Sequence, residues 1–192
     1  MLRGLRIADV ITSLRVALLP IIWSFALLAQ GYLVGLGLVL AGLTDILDGY
    51  LARRLGQVSA RGARLDTAAD ILLLISAAAW IGLLYPEIVV ENGLLLAVTL
   101  LLYAGSLAAC LLKFRRVGNL HLYSSRVAGG FFYLFAVVTL LGGAYDRRLL
   151  VIAATALTVS SVETLIANLV LGVVEGRVGS VLLRVTRRAE MA

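Results

Sequence analysis

Charge is what this sequence has least of. Only 15% of its 192 residues are charged, against about 25% in an average soluble domain. A chain so poor in charge cannot cover a water-exposed fold of this size, which argues for a protein embedded in a membrane. Cysteine is nearly missing as well. The single Cys110 excludes an intrachain disulfide framework and any cysteine-rich metal site, and its apolar surroundings mark it as a small core residue. No internal repeat, low-complexity tract or linker interrupts the chain, so residues 1–192 are expected to form one domain.

What fills the sequence instead is apolar: 61% of residues are hydrophobic and the mean hydropathy is +1.03. A spanning helix needs about 20 mostly apolar residues. Six stretches approach that length, roughly 12–31, 33–53, 63–85, 93–112, 127–145 and 149–173. The expected fold is therefore all-α and polytopic, with a six-helix transmembrane bundle over residues 12–173. Residues 1–11, with Arg3 and Arg6 among Leu2, Leu5 and Ile7, suit a short amphipathic helix on the membrane surface. They read less well as a cleaved signal, because the apolar run behind them is long and passes directly into a second one. Residues 174–192 form a cytoplasmic tail in which Arg177, Arg184, Arg187 and Arg188 alternate with Val and Leu, a pattern that grips anionic lipid.

The net charge of +6 does not indicate nucleic acid. Its basic residues sit at the ends of apolar segments, where lipid headgroups are the nearer partner. With the N-terminus inside, fifteen of the seventeen basic residues fall on the inner side and two, Arg147 and Arg148, on the outer. The positive-inside rule then places both termini in the cytoplasm of a multi-pass cell-membrane protein. Tyr32, Tyr85 and Tyr145 fall at the outer interface, as aromatic belts do.

Against this background one stretch stands apart. From Thr44 to Asp70 the chain reads TDILDGYLARRLGQVSARGARLDTAAD and places four carboxylates, Asp45, Asp48, Asp66 and Asp70, in apolar surroundings. A carboxylate at membrane depth is costly and needs a partner. Asp45, Asp48 or Gly49, and Ala52 share one face of the second helix, and Gly62, Asp66 and Asp70 share one face of the third. Asp45 and Asp70 then lie about 12 Å from the inner ends of their helices, and Asp48 and Asp66 about 6 Å. Two antiparallel helices would bring the four carboxylates to matching depths. Without histidine or cysteine this is a hard oxygen site, suited to Mg²⁺, Mn²⁺ or Ca²⁺ rather than zinc. Four charges can hold two divalent ions, an arrangement suited to phosphoryl-type displacement. Arg53 is placed to meet a phosphate at the cytoplasmic mouth, and Gly49, Ala52 and Gly62 leave room beside it.

The spacing Asp45-x-x-Asp48-Gly49-x-x-Ala52-Arg53, eight residues, then Gly62-x-x-x-Asp66-x-x-x-Asp70 resembles the whole signature of the CDP-alcohol phosphotransferases, with all eight fixed positions present. The resemblance implies transfer of a phosphatidyl group from a CDP-linked lipid, such as CDP-diacylglycerol, to a small polar alcohol, with release of CMP. It implies Asp45, Asp48, Asp66 and Asp70 as ligands of two Mg²⁺ or Mn²⁺ ions, with Asp70 also the general base on the acceptor hydroxyl. Gly49, Ala52, Arg53 and Gly62 would border the nucleotide and diphosphate. Asp9-Val10-Ile11-Thr12, Thr67 and Ile71 depart from the glycerophosphate-using members, so the acceptor does not follow from similarity. Glycerol 3-phosphate, inositol 1-phosphate, free inositol and other alcohols all stay open.

The inner loop from Lys113 to Arg126 is the other polar feature expected on this side. Lys113, Arg115 and Arg126 are candidates for binding a phosphorylated acceptor, beside the plainer reading of positive-inside anchoring. His121, the one histidine, suits a solvated interfacial residue better than an acceptor ligand. Glu163, among Ser160, Ser161 and Thr164, is a functional candidate by its depth, though a packing role fits it better. Gly105 and Ala109, or Ser106 and Cys110, signal close helix packing first and a homodimer second. The competing function is a cation or metabolite transporter that uses the aspartates as a path, but such a path has no need of Gly49, Ala52, Arg53 and Gly62 at these spacings.

Overall fold

A computed structural model describes residues 7–54, 60–114 and 123–170. The side chains of residues 7–11, 48, 49, 52, 53, 60, 61, 63, 64, 113, 114, 123 and 168–170 lie outside that description. Six helices make up the described chain: α1 (Ile7–Leu27), α2 (Gly31–Arg54), α3 (Ala60–Leu84), α4 (Pro86–Phe114), α5 (Tyr123–Gly142) and α6 (Arg147–Val170). No strand occurs among the described residues, as expected of a chain whose backbone must satisfy itself without water.

Among the described residues, four segments are long and apolar enough to cross a membrane: Leu65–Leu84, Pro86–Leu112, Ser124–Gly142 and Arg147–Ala167. The apolar parts of α1 and α2, Thr12–Leu27 and Gly31–Leu47, are shorter. The amphipathic helix expected over residues 1–11 has no separate counterpart in the described part. Residues 7–11 run on into α1 as one helix, because neither glycine nor proline stands between Ile7 and Leu19 to break it. Residues 1–6 and the expected tail over 174–192 lie outside the described residues.

The chain falls into two compact units. The first comprises Met1–Ile88 and Ala136–Tyr145, and in it α1 packs against both α2 and α3. Contacts fix the directions. Arg15 meets Asp45 and Ile22 faces Gly37, so position rises on one helix as it falls on the other, and α1 and α2 are antiparallel. Arg15 meets Asp70 and Trp23 meets Ser76, so α1 and α3 are parallel. The buried stripe of α1 is Thr12, Arg15, Leu19, Ile22 and Ala26, at helical spacing. On α2 it is Val34, Leu38 and Ala41, and the next residue in that series is Asp45. Small residues bring the helices close, which is how helices associate where lipid tails remove the hydrophobic drive. A Cβ on Gly37 would lie 2.7 Å from Cγ1 of Ile22, and one on Gly35 2.7 Å from Cδ2 of Leu141.

The α1–α2 turn closes on a nested pair of bonds. Gln30 N donates to Phe25 O at 2.9 Å and Ala29 N to Ala26 O at 3.0 Å, with Ala29 left-handed at φ 55°, a position usually held by glycine.

The second unit comprises Val89–Phe135 and Asp146–Ala192. In it the Thr99 and Thr158 hydroxyls link α4 to α6 at 3.1 Å. Asp146 caps α6, accepting from Arg148 N at 2.7 Å. Asn92, buried, interrupts α4 with φ −122° and ψ 23°, at the point where the expected fourth span begins. Cys110 is buried as expected, and so is Ser106, but a Cβ on Gly105 would meet nothing within 4 Å. Of the two small-residue pairs on α4, the Ser106–Cys110 pair is therefore the one turned inward.

Candidate metal centre

The buried stripes of the first unit do not stay apolar to their ends. On α3 the series Trp80, Ala77 and Ser76, Ala69 leads back to Asp66, with Asp70 one turn after it. On α2 the series ends on Asp45. Helix packing that is apolar at one end thus delivers carboxylates to a common point at the other. Oxygens of Asp45, Asp66 and Asp70 lie within 4.8 Å of one another.

Arg15 of α1 lies at that point. Its guanidinium reaches Asp45 Oδ1 at 2.9 Å, Asp66 Oδ1 at 3.5 Å and Asp70 Oδ1 at 3.1 Å, and Nη1 donates the bond to Asp70. The arginine side chain is 1% exposed, whereas the carboxylates keep 44%, 44% and 54% of their surface. An arginine buried this far without carboxylates around it would cost several kcal/mol, so the contacts explain how α1 tolerates it. They do not neutralise the centre. Three carboxylates whose oxygens lie within 4.8 Å of one another repel. Among the described side chains one guanidinium stands against three carboxylates, a formal balance of two negative charges. A donor set of carboxylate oxygens alone, with a residual charge of two, fits a divalent Mg²⁺- or Mn²⁺-type cation and disfavours zinc.

The fourth carboxylate, Asp48, stands on α2 one turn after Asp45, and Gly49, Ala52 and Arg53 follow on the same helix. The positions are described and the side chains are not. Gly62 is half-buried on α3, one turn before Asp66. Of the acceptor candidates, Lys113 is the last residue but one of α4 with its side chain outside the description, and Arg115 lies outside the described residues. Arg126 is exposed in the first turn of α5. His121 also lies outside the described residues. Glu163 is half-buried on α6; its neighbours Ser161 and Thr164 donate back to the carbonyls of Leu157 and Ser160 at 2.7 and 2.8 Å.

Arg15 is the residue that reading the sequence for a site passes over. It counts there as one more inner-side positive charge. The signal was available, since an arginine inside the first apolar run needs a carboxylate partner as much as the aspartates need a cation. The two antiparallel helices bring carboxylates together as expected; what the sequence does not show is that α1 lies against both, while among the described residues α2 and α3 touch along a short stretch.

A cavity of about 280 Å³ opens elsewhere in this unit, lined by Ala26, Leu27, Ala29, Gly31, Leu83, Leu84 and Tyr85. It is more than ten residues along α1 from Arg15 and no aspartate lines it. Burial, reinforced by the Glu87 carboxylate, pushes the Tyr85 phenol above its ordinary value, so it stays protonated. No carboxylate and no histidine lines this cavity.

Comparison with known proteins agrees with the spacing. The family model for CDP-alcohol phosphatidyltransferase matches residues 5–174. Over 85 residues the chain is 36% identical to the cardiolipin synthase (CMP-forming) of Rattus norvegicus, a match that covers 43% of this chain and 27% of that protein. The chain thus spans about a quarter of the length of that curated relative. No solved structure matches. A family model that runs through all six described helices, together with three signature aspartates meeting in space, leaves one assignment: the chain belongs to the CDP-alcohol phosphatidyltransferase family.

Proposed function

We propose that this protein is a metal-dependent phosphatidyltransferase of phospholipid synthesis. It moves a phosphatidyl group from CDP-diacylglycerol, or a related CDP-lipid, to an alcohol hydroxyl and releases CMP. The observation that carries this reading is the convergence of Asp45, Asp66 and Asp70 within 4.8 Å, at the spacing of the family signature. In this reading Asp45, Asp48, Asp66 and Asp70 hold two divalent ions, Mg²⁺ or Mn²⁺. Bound there, such ions supply charge neutralisation for the donor diphosphate and for the departing CMP.

The rest is the work of the chain. Asp70, at 54% the most exposed of the three, takes the proton of the acceptor hydroxyl as its oxygen attacks the phosphorus that carries the diacylglycerol. A phosphorus–oxygen bond forms to the acceptor, the bond from that phosphorus to the bridging diphosphate oxygen breaks, and CMP leaves with the electron pair. Gly49, Ala52 and Gly62 leave room for cytidine and diphosphate, and Arg53 pairs with a phosphate. Lys113, Arg115 and Arg126 are the proposed contacts for a phosphorylated acceptor, glycerol 3-phosphate or an inositol phosphate. Residues 1–192 act in this scheme as one domain that crosses the membrane six times, with both termini and the site on the cytoplasmic side.

The named relative supports a second choice of acceptor. That protein is called a cardiolipin synthase, and cardiolipin carries two phosphatidyl groups, so a phospholipid hydroxyl joins the small alcohols as an acceptor to be screened. The deciding experiment is an acceptor screen with purified protein, Mn²⁺ and cytidine-labelled CDP-diacylglycerol, reading CMP release and lipid product together. Release that depends on one acceptor identifies the reaction. No release with any acceptor, alongside cation flux in vesicles, would establish the transporter instead.

A further inference from the structure

We propose that Arg15 is the resident counter-cation of the aspartate centre: it holds Asp45 of α2 against Asp66 and Asp70 of α3 before a divalent ion binds, and it limits how tightly that ion is held. The inference rests on the metal reading above and assigns a positioning role to a residue outside the family signature.

Three observations support it. Arg15 is the one described basic side chain that is buried, at 1% exposure, so it is committed to this place and not to a headgroup. It contacts carboxylates from two different helices, at 2.9 Å on α2 and at 3.1 and 3.5 Å on α3. And it belongs to the stripe of α1 that packs the unit, between Thr12 and Leu19, so its guanidinium is held by helix packing and not by the carboxylates alone. Among the described residues, α2 and α3 touch along a short stretch and α1 packs against both. The carboxylates of the two helices would repel, and a fixed positive charge on the helix between them offsets that repulsion. A divalent ion entering the same centre finds three carboxylates with one of their charges already offset. Its binding is weaker than to the bare carboxylates, and the helices do not have to reassemble each time the ion or its ligand leaves.

Metal-dependent stabilisation separates this role from ordinary packing. The melting temperature of the purified full-length protein in detergent is followed against Mn²⁺ for the unaltered chain, Arg15→Gln and Arg15→Lys. Without metal, Arg15→Gln melts lowest, and Arg15→Lys lies between, because it keeps the charge and loses the planar fork. Mn²⁺ raises Arg15→Gln by at least about 3 °C more than the unaltered protein, with half of the rise at a lower Mn²⁺ concentration. Equal Mn²⁺ increments in Arg15→Gln and the unaltered chain would overturn the role of Arg15 while leaving the metal site standing. No Mn²⁺ effect on the unaltered chain would remove the metal reading and this inference with it. If Arg15→Gln folds only when Mn²⁺ is present throughout purification, the proposal holds. If it fails to fold with Mn²⁺ as well as without, or if Lys and Gln behave alike, the proposal is wrong.

Discussion

Arg15 and Trp23 stand two turns apart on α1, about 12 Å along its axis, and both tie α1 to α3. They do it in opposite ways. Trp23 Nε1 donates to Ser76 Oγ at 3.2 Å, and its ring meets the edge of Trp80 with centroids 5.8 Å apart. Trp80 is 0% exposed and Ser76 4%, so this end is closed. At the other end a fully buried arginine faces carboxylates that keep about half their surface and carry surplus negative charge. One end is built to stay as it is, and the other to receive something. Stability and activity should therefore separate along the length of α1 within a single unit.

The largest effect is expected at the open end. Asp70→Asn removes the proposed proton acceptor while keeping size and hydrogen bonding, and should lower CMP release by at least about a hundredfold. The melting temperature should stay close to that of the unaltered chain. At the closed end Trp80→Ala should do the reverse. It empties a fully buried site and should cost about 3 kcal/mol, the lower end of the range for large aromatic deletions, because lipid tails are themselves apolar. CMP release per folded molecule should be unchanged. A Trp80→Ala protein as inactive as Asp70→Asn, at equal folded concentration, would break the comparison.

Smaller effects sharpen it. Gly37→Ala pushes a methyl to 2.7 Å from Ile22 Cγ1 and should destabilise by about 1–2 kcal/mol through overpacking, read as a lower melting temperature with normal turnover. Ala29→Gly relieves the left-handed backbone at φ 55° that ends α1. It should raise stability by up to about 1 kcal/mol, a gain of a few degrees, again without touching turnover.

The sequence shows these two ends very unequally. The aspartate end is legible because its chemistry is local: Asp45, Asp66 and Asp70 carry a spacing that places them on single helix faces before any tertiary contact is known. Helix positions are legible for a similar reason, since apolar runs of this length have few alternatives in a membrane. What stayed hidden depends on which helix lies between which. An arginine inside an apolar run signals that it needs a carboxylate partner, but nothing local in Arg15 says that α1 sits against both α2 and α3, and so which carboxylates it meets is not legible. Gly35 and Gly37 were equally silent, because a glycine in an apolar helix signals close approach without naming what approaches. The N-terminal break at residues 11–12 was expected from polarity, and polarity alone does not end a helix that lacks a breaker.

The most direct test of the central claim is a Mn²⁺ titration of CMP release from CDP-diacylglycerol, in the presence of the acceptor that the screen identifies. The unaltered protein should be silent in EDTA and should rise with Mn²⁺ to a plateau, and Asp70→Asn should stay near baseline at every concentration. CMP release that persists in EDTA, or that Asp70→Asn supports at the unaltered rate, would contradict a metal-dependent transferase centred on these aspartates.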